Sequence, residues 1–186
     1  CSATDRSAWT PSITFSTLCN PVSSLPWTEN FDTTATGTNI FPPCWGFENI
    51  LNTWAISTTP SPVYSGANQL RRTWSTNGWA FTPTITLTAG VSYEFSYWVR
   101  TNDTIDGYTI QTAVGQGQSA TAMTTTLGTQ NNYFIATWSK IIFNFVPTTT
   151  GNYSFGVRAE GPNPPNGINF DDFRVQVSPT CFAPSA

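Results

Sequence analysis

From Val91 to Arg100 the chain alternates without interruption, Val91, Tyr93, Phe95, Tyr97 and Val99 falling on one side and Ser92, Glu94, Ser96, Trp98 and Arg100 on the other. Only an extended strand, whose successive side chains point to opposite faces, sorts such a run into one apolar and one polar face. Ile141, Phe143 and Phe145 repeat the period, as do Tyr153, Phe155 and Val157, and between residues 53 and 177 no apolar stripe stands at helical spacing. Pro147 and the turn from Thr148 to Gly151 separate those last two runs, which predicts an antiparallel hairpin within one sheet. Strand signals return roughly every 10 to 15 residues between Gly, Pro and Asn punctuation, so the expected fold is all-β, a two-sheet antiparallel jelly-roll sandwich.

The 186 residues suit one such domain together with the edges of its neighbours. Trp9 to Thr17 reads as a strand, but Pro11 and the Cys19-Asn20-Pro21 break detach it, so residues 1–18 are assigned to a preceding domain and residues 19–178 to the sandwich. The Pro-marked stretch from Ser178 to Pro184 carries no strand pattern, and residues 179–186 read as a linker or the start of a following domain.

Several function classes fall away on composition. Histidine is absent, which excludes a Ser-His-Asp triad, a Cys-His pair and any His-based metal site. The net charge is −3 and Lys140 is the only lysine, so neither nucleic acid nor an anionic membrane is an expected partner. No run approaches the ~20 apolar residues that span a bilayer. Aromatic residues make up 15% of the chain, too many for a disordered segment. The cysteines, Cys1, Cys19, Cys44 and Cys181, are too far apart for a C-x-x-C motif and point to disulfides in an oxidising compartment, outside the cell or on its surface. Cys19 and Cys44 are placed to close a staple, while Cys1 and Cys181 sit near the two ends.

The last strand contains a slip in phase. Ile168 and Phe170 share one parity, whereas Phe173, Val175 and Val177 carry the apolar side on the other, so a bulge is expected at Asp171-Asp172. Two carboxylates at an irregular backbone suit a hard cation such as Ca²⁺ in a structural role, and Glu29 and Asp32 would join them if the first and last strands pair. The alternative is a turn cap, or surface pairing with Arg158 or Arg174. A glycosidase needs only two acids, but Glu29, Glu48, Glu94 and Glu160 offer no convincing pair, and the chain is read as non-catalytic.

Eight tryptophans raise the question of which are displayed. Trp45, Trp79 and Trp138 lie in or beside strand patterns and are expected inside. Trp54, Tyr64, Trp74 and Trp98, with Arg71 and Arg100, are the candidates for gripping a ligand, since a polar sheet face carrying rings and arginines can stack on a sugar and bond its hydroxyls. The competing expectation is that a loop covers Trp98.

Pro26-Trp27-Thr28-Glu29-Asn30-Phe31-Asp32, Pro42-Pro43-Cys44-Trp45, Gly78-Trp79-Ala80-Phe81-Thr82-Pro83, Tyr93 to Arg100 and Asn169-Phe170-Asp171-Asp172-Phe173 together resemble the cleaved-adhesin or MAM-like jelly-roll domains of large secreted surface proteins of Bacteroidetes. The stretch Trp9 to Cys19 resembles the final strand of a fibronectin type III domain, and Cys181 to Pro184 the start of another. The resemblance implies structural Ca²⁺ at Glu29, Asp32, Asp171 and Asp172, and export by the type IX route. It also implies a role in adhesion, with a glycan or surface protein and neighbouring modules of the same polypeptide as partners. A carbohydrate-binding module serving an attached enzyme is the alternative.

Overall fold

The computed structural model describes residues 19–48, 53–73, 78–102, 107–161 and 167–179. The strand expected at Trp9 to Thr17, Trp74 and residues 180–186 lie outside them. Among the described residues there are thirteen strands and one short 3-10 turn, and no helix is long and apolar enough to cross a membrane.

One sheet has seven strands, in the order β11 (Ser139–Phe145), β8 (Tyr93–Thr101), β13 (Gly167–Val177), β5 (Gln69–Thr73), β4 (Trp54–Ser57) and β2 (Gly37–Thr38), with β1 (Trp27–Glu29) also on β13. The second has six, in the order β10 (Thr125–Tyr133), β9 (Tyr108–Gly115), β12 (Gly151–Glu160), β6 (Gly78–Phe81) and β3 (Gly46–Glu48), with β7 (Ile85–Leu87) also on β12. All the strand pairings are antiparallel. The fold is the expected two-sheet sandwich, and the first and last strands of the domain do pair: Trp27 faces Val175 and Glu29 faces Phe173.

The apolar parity of each long strand fills the space between the sheets. Phe95, Tyr97 and Val99 of β8 and Phe170, Phe173 and Val175 of β13 meet Ile110 and Val114 of β9 and Phe155 and Val157 of β12 there. Phe173 is the hub, in ring contact with Phe31, Trp45, Phe95, Tyr97 and Phe170.

The expected hairpin of residues 141–145 and 153–157 does not form. β11 pairs with β8 in one sheet and β12 with β9 and β6 in the other, so the chain crosses between layers at Pro147. A period of two reports which face a side chain takes and says nothing about the partner strand. Phe145 meets Tyr153 at 5.6 Å and Phe155 at 6.3 Å across the core instead of beside them.

Arg72 follows the same parity rule as its apolar neighbours and is buried with them, between Trp54 and Ile168 in the register of β4, β5 and β13. Its guanidinium lies 5.3 Å from the Trp54 ring centre and donates to the carbonyls of Gly78 and Ala159, tying the two sheets together at one end. Desolvation lowers its pKa to about 10. In the loop before β3, Cys44 is joined to Cys19. A closed loop of this length, 25 residues in separation, restricts the unfolded chain by about 3.5 kcal/mol in the loop-entropy account.

Because Phe173 joins five rings of the core, Phe173→Ala should remove about 3–5 kcal/mol of unfolding free energy in urea titration, with an unchanged denaturant slope.

Candidate functional site

The phase slip becomes a bulge where the alternation places it. The register of β13 against β8 shifts between Asp171 and Arg174, and Asp172 takes φ of +46°, a left-handed conformation that Asp tolerates better than most residues. The extra residue lets Phe170 and Phe173 both point inward and turns Asp171 and Asp172 to the outer face of the seven-stranded sheet. It also divides the far edge of β13, where β5 pairs before the bulge and β1 after it.

Both carboxylates seize one loop. Asp171 Oδ2 accepts the amides of Tyr64 and Ser65, each at 3.1 Å, and Asp172 Oδ1 accepts the Ser65 hydroxyl at 2.6 Å. Further along, Asp32 Oδ1 accepts the amides of Ala67 and Asn68 at 2.7 and 2.9 Å. Gly66 sits between these anchors with φ of +59°, and a Cβ there would lie 1.7 Å from Asp32 Oδ2, so the loop passes the carboxylate only as glycine. Glu29 Oε1 accepts the Phe31 amide at 2.7 Å, and burial raises its pKa. As placed, each of the four acids is bound to its own chain, and among the described residues no group of three or more acidic or cysteine side chains gathers as a metal cluster.

The clamped loop carries Tyr64 onto Trp98, with ring centres 3.9 Å apart and planes 17° from parallel. Trp138 completes the cluster. It meets Tyr64 edge-on at 5.9 Å, donates from Nε1 to the Pro62 carbonyl at 3.1 Å and receives the Arg100 guanidinium at 5.0 Å. Arg100 also donates to the Pro60 carbonyl. A loop therefore does cover one face of Trp98. The residue nevertheless remains half-buried and lines a cleft of about 490 Å³ together with Glu29, Ser96, Lys140, Asp172 and Arg174.

The ligand candidates scatter. Tyr64, Trp98 and Arg100 come together. Trp54 is a correction, because it is wholly buried against Phe47, Phe170 and Arg72 and presents no surface to a ligand; inward parity on β4, between β5 and β2, decides its place. Arg100 is 8% exposed and engaged with Pro60 and Trp138, so it supports the platform instead of offering its charge. Arg71 lies a strand away, facing Asn169, which in turn faces Arg100. Trp79 is inside as expected, whereas Trp45 and Trp138 are only half-buried. Sequence reasoning missed Lys140, Ser96 and Arg174 as cleft residues. Parity held part of the signal, since Ser96 shares Trp98's face and Arg174 follows Asp172 on the outer side, but the choice of β11 as neighbour, which puts Lys140 opposite Trp98, is tertiary.

Asp171 is wholly buried, and desolvation outweighs its amide bonds, pushing its carboxyl up to about 7 from an ordinary 3.8. The folded chain then binds this proton more tightly than the unfolded chain. The contribution to stability is complete below the unfolded value and is lost as the pH rises through the folded one. In chelator, the unfolding free energy should decline between pH 3.8 and about 7, and urea titrations should show Asp171→Asn flattening that decline. An equal slope in the variant would refute the assignment.

No protein-family model and no curated protein matches this sequence. Solved structures do match in fold. The K1 cleaved adhesin domain of Lys-gingipain from Porphyromonas gingivalis superposes with a TM-score of 0.64 at 13% identity, over 84% of this chain and 100% of that one. Its K2 counterpart gives 0.65 at 14% identity, over 83% and 99%. TmCBM61, solved in complex with β-1,4-galactotriose, gives 0.60 at 15% identity, over 80% and 94%. The architecture of the described residues is thus the jelly roll shared by cleaved adhesin domains and carbohydrate-binding modules.

Proposed function

We propose that this chain is a non-catalytic adhesion module acting outside the cell within a multidomain surface protein, and that it grips its partner through the outer face of the seven-stranded sheet around Trp98. The observation that carries the reading is the Tyr64–Trp98–Trp138 platform, held rigid by Arg100 and the Asp171 clamp, beside an open cleft. Rigid rings flanked by bonding groups suit recognition, because little side-chain freedom is lost on contact. The Cys19–Cys44 bond supports an oxidising location, and the fold shared with gingipain adhesin domains supports surface adhesion. The second reading is a carbohydrate-binding module that targets an attached enzyme, favoured by the likeness to TmCBM61.

Polysaccharide retention assays distinguish the readings. A glycan retained by the wild type and weakened roughly tenfold or more by Trp98→Ala, as for a central aromatic anchor, would establish the Trp98 face as a sugar-gripping surface. End-to-end association of longer chains without glycan retention would favour protein contact. Turnover of a glycoside, lost on replacing one carboxylate, would end the non-catalytic reading.

The same proposal includes the calcium that the resemblance implies. Hard oxygen donors from both ends of the domain, Glu29, Asp32, Asp171 and Asp172, suit that ion, and the support on this chain is a wholly buried Asp171 carboxylate with no cationic side chain bonded to it among the described residues. Added Ca²⁺ should raise the melting temperature over that in chelator by mass action, and coincident melting curves would remove calcium from the proposal.

A further inference from the structure

We propose that the cleft beside Trp98 takes an acidic saccharide, with its carboxylate or sulfate held between Arg174 and Lys140. The inference rests on the reading of the Trp98 face as the gripping surface and adds the chemical class of what is gripped.

Register builds the arrangement. Arg174 of β13 lies opposite Ser96, and Lys140 of β11 lies opposite Trp98, so cations from the two strands flanking β8 bracket its aromatic ring. Two strand spacings and a register offset of two residues set their backbones about 12 Å apart, enough for one sugar ring with the two side chains closing on it. Neither cation is spent elsewhere. Among the described residues the only ion pair joins Arg158 to Glu160, which are on β12 of the other sheet. Two polar atoms at the cleft are buried and unbonded: Nε of Arg174, and Oγ of Ser96, a residue with 0% exposure. At Arg174 this leaves a donor that no group among the described residues takes up.

The acids of the same cleft narrow the class. Glu29 and Asp172 also line it, but each already accepts from its own chain, the Phe31 amide and the Ser65 hydroxyl respectively. In calcium-free solution their remaining lone pairs accept hydroxyl protons and repel further anionic charge, so the binding test is run in chelator. Two unpaired cations, two acceptors and one ring match a hydroxylated sugar bearing a single acid group per residue. They do not match a densely charged polyanion, whose neighbouring charges would meet the carboxylates.

The test is calorimetric titration of the whole chain with polymers that differ only in charge: polygalacturonate against its methyl ester, and a sulfated galactan against unsulfated galactan. The expected result is at least about tenfold tighter binding of one charged member than of its neutral counterpart, as for a charge-assisted contact, with the preference shrinking in salt. The pair that shows it tells carboxylate from sulfate. Arg174→Gln and Lys140→Gln should each erode the preference at unchanged melting temperature, and Lys140→Gln, at an exposed side chain, carries the test should the other fail to fold. Equal binding of charged and neutral members, or a preference that survives the double replacement, would overturn the inference. If neutral binding is then still lost in Trp98→Ala, the gripping face stands without its acid specificity. If no polymer binds at all, the acid specificity falls together with the sugar-gripping reading of the face, leaving the protein contact that end-to-end association would show.

Discussion

A single inserted residue in β13 organises this molecule. Without the bulge at Asp171-Asp172, strict alternation would send Phe173 and Val175 outward once Phe170 pointed in, and the core would lose the ring that joins Phe31, Trp45, Phe95 and Tyr97. The same insertion turns two consecutive carboxylates to one side, where a regular strand would separate them. Core packing and outer-face chemistry thus follow from one local irregularity.

The consequence runs through the loop from Tyr64 to Asn68. Carboxylates of Asp32, Asp171 and Asp172 hold it by its backbone, and the loop in turn lays Tyr64 over Trp98. Backbone amides are well suited to this task because they point where the chain points, whereas a side-chain donor could swing away. Burying Asp171 raises its carboxyl and costs stability at neutral pH, a cost that accompanies a rigid platform. Arg72 shows a comparable exchange at the other end of the sandwich, where a cation with no carboxylate bonded to it among the described residues is kept inside to donate to carbonyls of the opposite sheet.

How far the site was legible depended on whether parity or partnership decided each residue. Alternation along Val91 to Arg100 separated Phe95 and Tyr97 from Ser96 and Trp98, and the phase slip located the bulge to the residue pair. The reading of Trp54 as a ligand candidate did not use parity, and its ring lies inward against Phe170, while parity was silent at Trp138, which a loop brings over Arg100. The hairpin expectation failed for a related reason, since residues 141–145 and 153–157 fit one sheet or two equally well by pattern alone.

What the amino-acid sequence determined by itself is whatever depends on the order of neighbours: extended strands, their inner and outer faces, the irregularity at Asp171, and the absence of imidazole chemistry. What only the tertiary structure decided is which strands lie side by side, and hence that Lys140, Trp98 and Arg174 share a cleft and that Asp171 meets Tyr64 across more than a hundred residues of chain. The division is physical. The direction of a side chain is a local property of the backbone, whereas strand pairing is settled by burial summed over the whole core, and residues far apart in the chain enter that sum on equal terms with near ones.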